Sequence, residues 1–144
     1  MESQSLMKTR ILYILFATLV ACTGETEPSE EPRSGLTDGG SYYIYWGSIP
    51  QTIPFNDLFE LSVMVHDGAD KTKMLTDREL YVDATMPAHG HGMETEPTVT
   101  KSESGMYTVE GMLFHMAGEW ELTFAVSDET EVETASFTVG CCDQ

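Results

Sequence analysis

Positive charge is scarce in this chain. Seven Lys and Arg stand against 24 Asp and Glu, a formal net charge of −17. Nucleic acid and anionic lipid surfaces would be repelled by that balance, so neither is an expected partner. Beyond the first 21 residues helical periodicity is missing. Missing as well are a Ser–His–Asp pattern, a phosphate loop, a dinucleotide motif and a spaced CxxC pair. No carboxylate stands at obvious reach of the histidines for zinc-assisted hydrolysis. The expectation is therefore a protein that is not an enzyme.

Long apolar runs are also lacking, with one short exception. Ile11 to Val20 follows Lys8 and Arg10 and has the length of a signal-peptide core, too short to span a bilayer. Met7 is an alternative start. The run ends in Leu19-Val20-Ala21-Cys22, which resembles the lipobox of bacterial lipoproteins. That resemblance implies cleavage before Cys22, diacylglycerol on its sulfur and an acylated amine, and several acyl chains together give stable anchoring. Thr23 stands where an inner-membrane retention signal has aspartate, which favours the outer membrane, facing the periplasm. An ordinary secretory signal cut nearby, or an uncleaved anchor, is the alternative. An acylated Cys22 would also rule out a copper oxygenase built on a free N-terminal histidine.

Thr23 to Gly40 is rich in Glu, Pro, Ser, Gly and Thr and reads as a disordered tether. The expected organisation is a signal peptide over 1–21, an acidic linker over 22–40, a β domain over 41–140 and a tail over 141–144. Of the three cysteines, one is assigned to lipid. Cys141 and Cys142 are left to form a strained vicinal disulfide, to pair between chains, or to bind a soft metal.

Alternation with period two recurs through the domain. Tyr42 to Trp46 is a first aromatic strand. Leu58 to Asp67 turns Phe59, Leu61, Val63 and Val65 inward, leaving Met64 and His66 on a face that reads as solvated. Further strands are expected over 79–86, 97–101, 106–114, 119–127 and 131–139. Their inner sets are Leu80, Val82, Ala84 and Met86, then Tyr107, Val109, Gly111 and Leu113, then Trp120, Leu122, Phe124 and Val126, and finally Ala135, Phe137 and Val139. Met106 and Met112 fall on the outer set. About seven short strands at this spacing indicate an all-β, immunoglobulin-like sandwich.

Within this pattern Met86-Pro87-Ala88-His89-Gly90-His91-Gly92-Met93 collects imidazoles and thioethers between glycines. Phe114-His115-Met116-Ala117-Gly118 repeats the chemistry at a hairpin turn. If 97–101 is a true intervening strand, two reversals bring both pieces to one end of the sandwich. In an extended segment His89, His91 and Met93 share a face at about 6.6 Å intervals, and the glycines allow their donors to approach. Thioethers are poor ligands for Zn(II), Ca(II) or Mg(II), whereas Cu(I) accepts them beside imidazole. The expected metal set is His89, His91, Met93 and His115, with Met116 or Met86 as an optional further ligand. The opposing reading is a flexible Gly/His turn, with Met86 packing the core and Met116 plugging the end.

These two motifs, with Gly105-Met106-Tyr107 between them and Glu119-Trp120-Glu121-Leu122 after them, resemble the YtkA-like and FixH-like extracytoplasmic domains over about residues 55–140. The resemblance implies a small secreted or membrane-tethered sandwich. Its FixH branch is associated with copper handling during assembly of haem-copper oxidases, although a lipobox stands here in place of the FixH membrane anchor. The expected role is copper sequestration or delivery to an oxidase or a copper-resistance system. A metal-free structural or interaction module of the cell envelope is the rival.

Overall fold

The computed structural model describes residues 33–142 and contains no helix among them. The expected signal peptide, Cys22 and the tether up to residue 32 lie outside the described residues. Nine strands are present: β1 (Ser34–Leu36), β2 (Tyr42–Ile49), β3 (Leu58–Asp67), β4 (Glu79–Met86), β5 (His91–Gly92), β6 (Thr98–Lys101), β7 (Tyr107–Leu113), β8 (Gly118–Ser127) and β9 (Val132–Cys141). They form two antiparallel sheets, ordered β1-β2-β3-β7-β6 and β5-β4-β8-β9. The all-β sandwich expected from the alternation is what the chain builds.

The core is the space between the inner faces. Trp120, Leu122, Phe124 and Val126 of β8 are completely buried, as are Ile44, Leu61, Val63 and Val65 from the facing sheet. Burial of each such side chain contributes about 1.5–3 kcal/mol, and this is why alternate residues of β3 and β8 are so consistently apolar.

Four features differ from the sequence-based expectation. The first is in β7, where Met112 and Phe114 are completely buried and Leu113 is not. Gly111 has φ +83°, and Val109 and Met112 pair with Leu61 and Phe59, so β7 carries one extra residue there. This β-bulge flips the alternation after Glu110, which moves Met112 from the outer set to the core.

The second is β1, which occupies part of the expected tether. Its residues pair with Tyr43, Ile44 and Tyr45 of β2, and the neighbouring Arg33 guanidinium lies 5.1 Å from the Trp46 ring centre and donates to Ser48 Oγ. A polar strand held by backbone pairing at a sheet edge leaves no apolar signature to read.

Third, β9 runs through Cys141, which is buried and pairs with Gly118, where a tail was expected to begin. Cys141 and Cys142 are joined as a vicinal disulfide, one of the three fates the sequence left open.

The fourth is His66, expected to be solvated. Past Val63, β3 has lost its β7 partner, and the segment 73–75 lies along that free edge. Asp67 N–H donates to Lys73 O at 2.9 Å, and Leu75 N–H donates to Val65 O at 2.8 Å. Both ring nitrogens of His66 are out of solvent.

Candidate metal centre

The hairpin joining β4 to β5 is set by Pro87 and Gly90. Met86 O accepts N–H bonds from His89 at 3.0 Å and Gly90 at 2.9 Å. Pro87 follows the first turn residue, where its fixed φ suits the bend, and Gly90 takes φ +69°, a conformation glycine adopts without steric cost. The expected extended run from His89 to Met93 is therefore replaced by a turn over 87–90 followed by a two-residue strand. His89 reaches its neighbour through the turn, not through alternation.

His91 pairs directly with Met86, so its side chain lies over the inner face of the β4–β8 sheet. Met86 is buried, with its terminal methyl 2.6 Å from where a Cβ on Gly118 would stand. Its place is in the packing, as the opposing reading had it, and the bulk of its side chain together with a φ of +128° at residue 118 suits a glycine there.

His115 arrives from the other sheet, and the turn expected to be a hairpin over 114–118 is instead the crossing from β7 in one sheet to β8 in the other. β6 intervenes as expected, and the chain leaves β7 at this same end of the sandwich. The ring centres of His91 and His115 are 5.1 Å apart, and those of His89 and His91 are 5.9 Å apart. Two imidazoles on one ion hold their nitrogens at most about 4 Å apart, given metal–nitrogen distances of about 2.0–2.1 Å. The His91–His115 separation is compatible with that requirement after small ring rotations.

Beneath them lies an aromatic floor that the sequence did not reveal. Trp120 sits 5.9 Å from His91 and 5.4 Å from His115, both edge-on, and stacks flat on Phe114 at 4.6 Å. Its indole N–H donates to Met116 O at 3.0 Å, which fixes the crossing from β7 to β8. The available signal was Trp120 as the first inward residue after the His115-Met116 turn.

Hydrogen bonding differs between the two inner imidazoles. His91 Nδ1 lies 2.9 Å from Gly92 O, and since a carbonyl only accepts, Nδ1 carries the proton. The lone pair of the neutral ring is then on Nε2, the arrangement in which an outer partner orients a metal-binding histidine. His115 Nδ1 is buried and has no partner among the described residues.

The thioethers are less converged. Met93 packs against the core, and its sulfur accepts a long 3.5 Å contact from Leu113 N–H. Met116 also packs against the core. Among the described residues no three His, Cys, Asp or Glu side chains form a metal-holding group. A metal held here would draw on two or three imidazoles with sulfur, a donor set suited to a soft ion at low coordination number. The unpartnered His115 Nδ1 and the Nε2 lone pair of His91 fit such an ion.

Residues 60–125 match the model of a family described as YtkA-like. No curated protein and no solved structure matches the chain.

Proposed function

We propose a lipid-anchored copper carrier of the cell envelope, a reading supported by the match of residues 60–125 to the YtkA-like family. His91 and His115 are its principal ligands, His89 is a third imidazole that swings in from the turn, and Met93 and Met116 supply thioether. Copper is the cargo, taken as Cu(I) and passed by ligand exchange at an exposed rim to a haem-copper oxidase or a copper-resistance system. Cys22 is the anchor, holding the domain at the outer membrane on its periplasmic side. No catalytic role is proposed.

One observation carries this reading: imidazoles from the β4–β5 hairpin and from the β7–β8 crossing between sheets meet over Trp120, one with a buried unpartnered nitrogen. Thioethers need no deprotonation, so any pH dependence of loading comes from the histidines. The test is titration of the full chain with Cu(I) against a competing chelator, read at the His115 ring resonances. Changing both His89 and His91 to Ala is expected to weaken the apparent affinity by more than about tenfold, since even outer partners of ligands cost about 10–100-fold. Equal affinity in the two proteins would remove the claim.

The metal-free interaction module draws support from Ile49, Phe55 and Leu58. These side chains are exposed, and Leu58 pairs with Leu113 at the same rim. Stable capture of an envelope protein in the presence of a strong copper chelator would favour that reading.

A further inference from the structure

A second imidazole has an environment that the rim reading does not explain. Neither Nδ1 nor Nε2 of His66 is reached by solvent, and neither has a hydrogen-bond partner among the described residues. A neutral imidazole presents one N–H and one lone pair, and an unpaired buried polar group costs about 1–3 kcal/mol. An apolar residue would fill the same space without that cost.

Register identifies the neighbours. On β2, Tyr43 stands directly across from His66 and Tyr45 directly across from Met64. On the other side, Met74 meets His66 in a single antiparallel bridge. Directly opposed residues share a face with Cβ atoms about 4.5–5.5 Å apart, and Met64, two residues along β3, shares it too. One thioether therefore lies across the pairing from the imidazole and another along the strand. The Tyr45 ring meets His66 edge-on, centres 5.1 Å apart and planes at 75°. That geometry lets one ring N–H point at π electrons, which leaves the lone pair of the other nitrogen free for a ligand.

We propose that His66, Met64 and Met74 form a second soft-metal site on the outer face of the five-stranded sheet, taking a monovalent thiophilic cation such as Cu(I). The neighbouring carboxylate does not compete for it. Asp67 Oδ1 accepts the N–H groups of Ala69 and Asp70, and Oδ2 lies 3.5 Å from Lys73 Nζ. One imidazole and two thioethers make a neutral set that suits a soft ion and serves hard divalent ions poorly. Of the three, Met64 is the most open to solvent, being 38% exposed and lining a groove with Tyr45, Gly47 and Ser62. The site is distinct from the rim, since His66 lies eight residues along β3 from Leu58, roughly 26 Å of strand.

The experiment is NMR of the full chain with labelled methionine methyls and histidine rings, titrated with Ag(I) as a diamagnetic stand-in for Cu(I). The expected result is that the methyls of Met64 and Met74 and the ring of His66 shift together. In His66→Ala the Met64 and Met74 shifts are lost, while the signals of Met93 and His115 respond as before. The double variant Met64→Leu/Met74→Leu, which keeps the side-chain volume, loses the His66 response. In the chain with His89 and His91 both changed to Ala, the response at Met64 and Met74 persists, which separates this site from the rim. Methyls of Met64 and Met74 that stay still in the unmodified chain, or shift equally in His66→Ala, would overturn the proposal.

Discussion

The turn that carries His89 and His91 closes by different means from the turns at the opposite end of the sandwich. Where β3 stops and β9 starts, side-chain oxygens do the closing. Asp67 Oδ1 accepts two backbone N–H bonds within its own turn at 2.9 and 3.1 Å, and Asp128 Oδ1 does the same with Thr130 and Glu131 at 2.8 and 3.0 Å. Ser102 bridges to both the N–H and the carbonyl of Met106, and Asp38 accepts the N–H of Thr134 from β9. At the opposite rim the β4–β5 turn closes through the backbone alone, with Met86 O taking two N–H groups and Gly90 supplying the left-handed φ. A polar side chain in a turn is thus no sign of function by itself. At the acidic end such groups are engaged by the fold, whereas the rim imidazoles are not needed to hold the turns that carry them.

The sharpest way to break this contrast is to remove what the rim does depend on. Trp120 is completely buried and stacked on Phe114, so Trp120→Ala is expected to cost about 3–5 kcal/mol by chemical denaturation. It should also weaken Cu(I) binding at the His115 signals, because the floor beneath both rings is gone. A loss under about 1 kcal/mol would mean that the floor is not structural.

A smaller effect is expected where the crossing from β7 enters β8. Gly118 has φ +128°, and the Met86 methyl occupies the space of its missing Cβ. Gly118→Ala should destabilise by about 1–3 kcal/mol through overpacking. In the double variant with Met86→Ala, the combined loss should fall short of the sum of the two single losses by at least about 0.5 kcal/mol, as expected for residues in contact. Strict additivity would show that the backbone conformation, not the methionine, is what excludes a side chain there.

These experiments bear on the part of the molecule that the sequence displays best and worst. Alternation in β3, β4 and β8 exposes which face is apolar, and counting β6 as an intervening strand is enough to bring His91 and His115 to one rim. Alternation assigns a residue to a face and says nothing of what meets it from the other sheet, so the Phe114–Trp120 stack is invisible until the sheets are packed. The bulge at Gly111 is hidden for a different reason. A single glycine with positive φ shifts the pattern by one residue and moves Met112 inward, yet Gly111 itself fits either parity. His66 is misread because alternation along β3 does not show what lies against its outer face, where the segment 73–75 joins it through a single bridge.

The acidic end offers the smallest and most specific test. Asp128 is held well below the usual carboxylate range, first by the Thr130 N–H, then by the Thr130 hydroxyl, the Glu131 N–H and the Tyr42 phenol. Asp67 is lowered by the N–H groups of Asp70 and Ala69, and Asp38 chiefly by the Thr134 N–H. A folded pKa below the unfolded value of about 3.9 contributes stability at higher pH and loses it as pH falls below that value. The urea midpoint should therefore be nearly flat from about pH 7 to 5 and drop below about pH 4. Asp128→Asn should lower the midpoint modestly at neutral pH and make the acid limb shallower, so that the two curves approach each other as pH falls. Trp120→Ala acts at the other end through packing, so its curve should run parallel to that of the unmodified chain. An Asp128→Asn curve that is merely displaced would mean that the carboxylate turn adds nothing pH-dependent, and the division of labour between the two ends would fail at its acidic side.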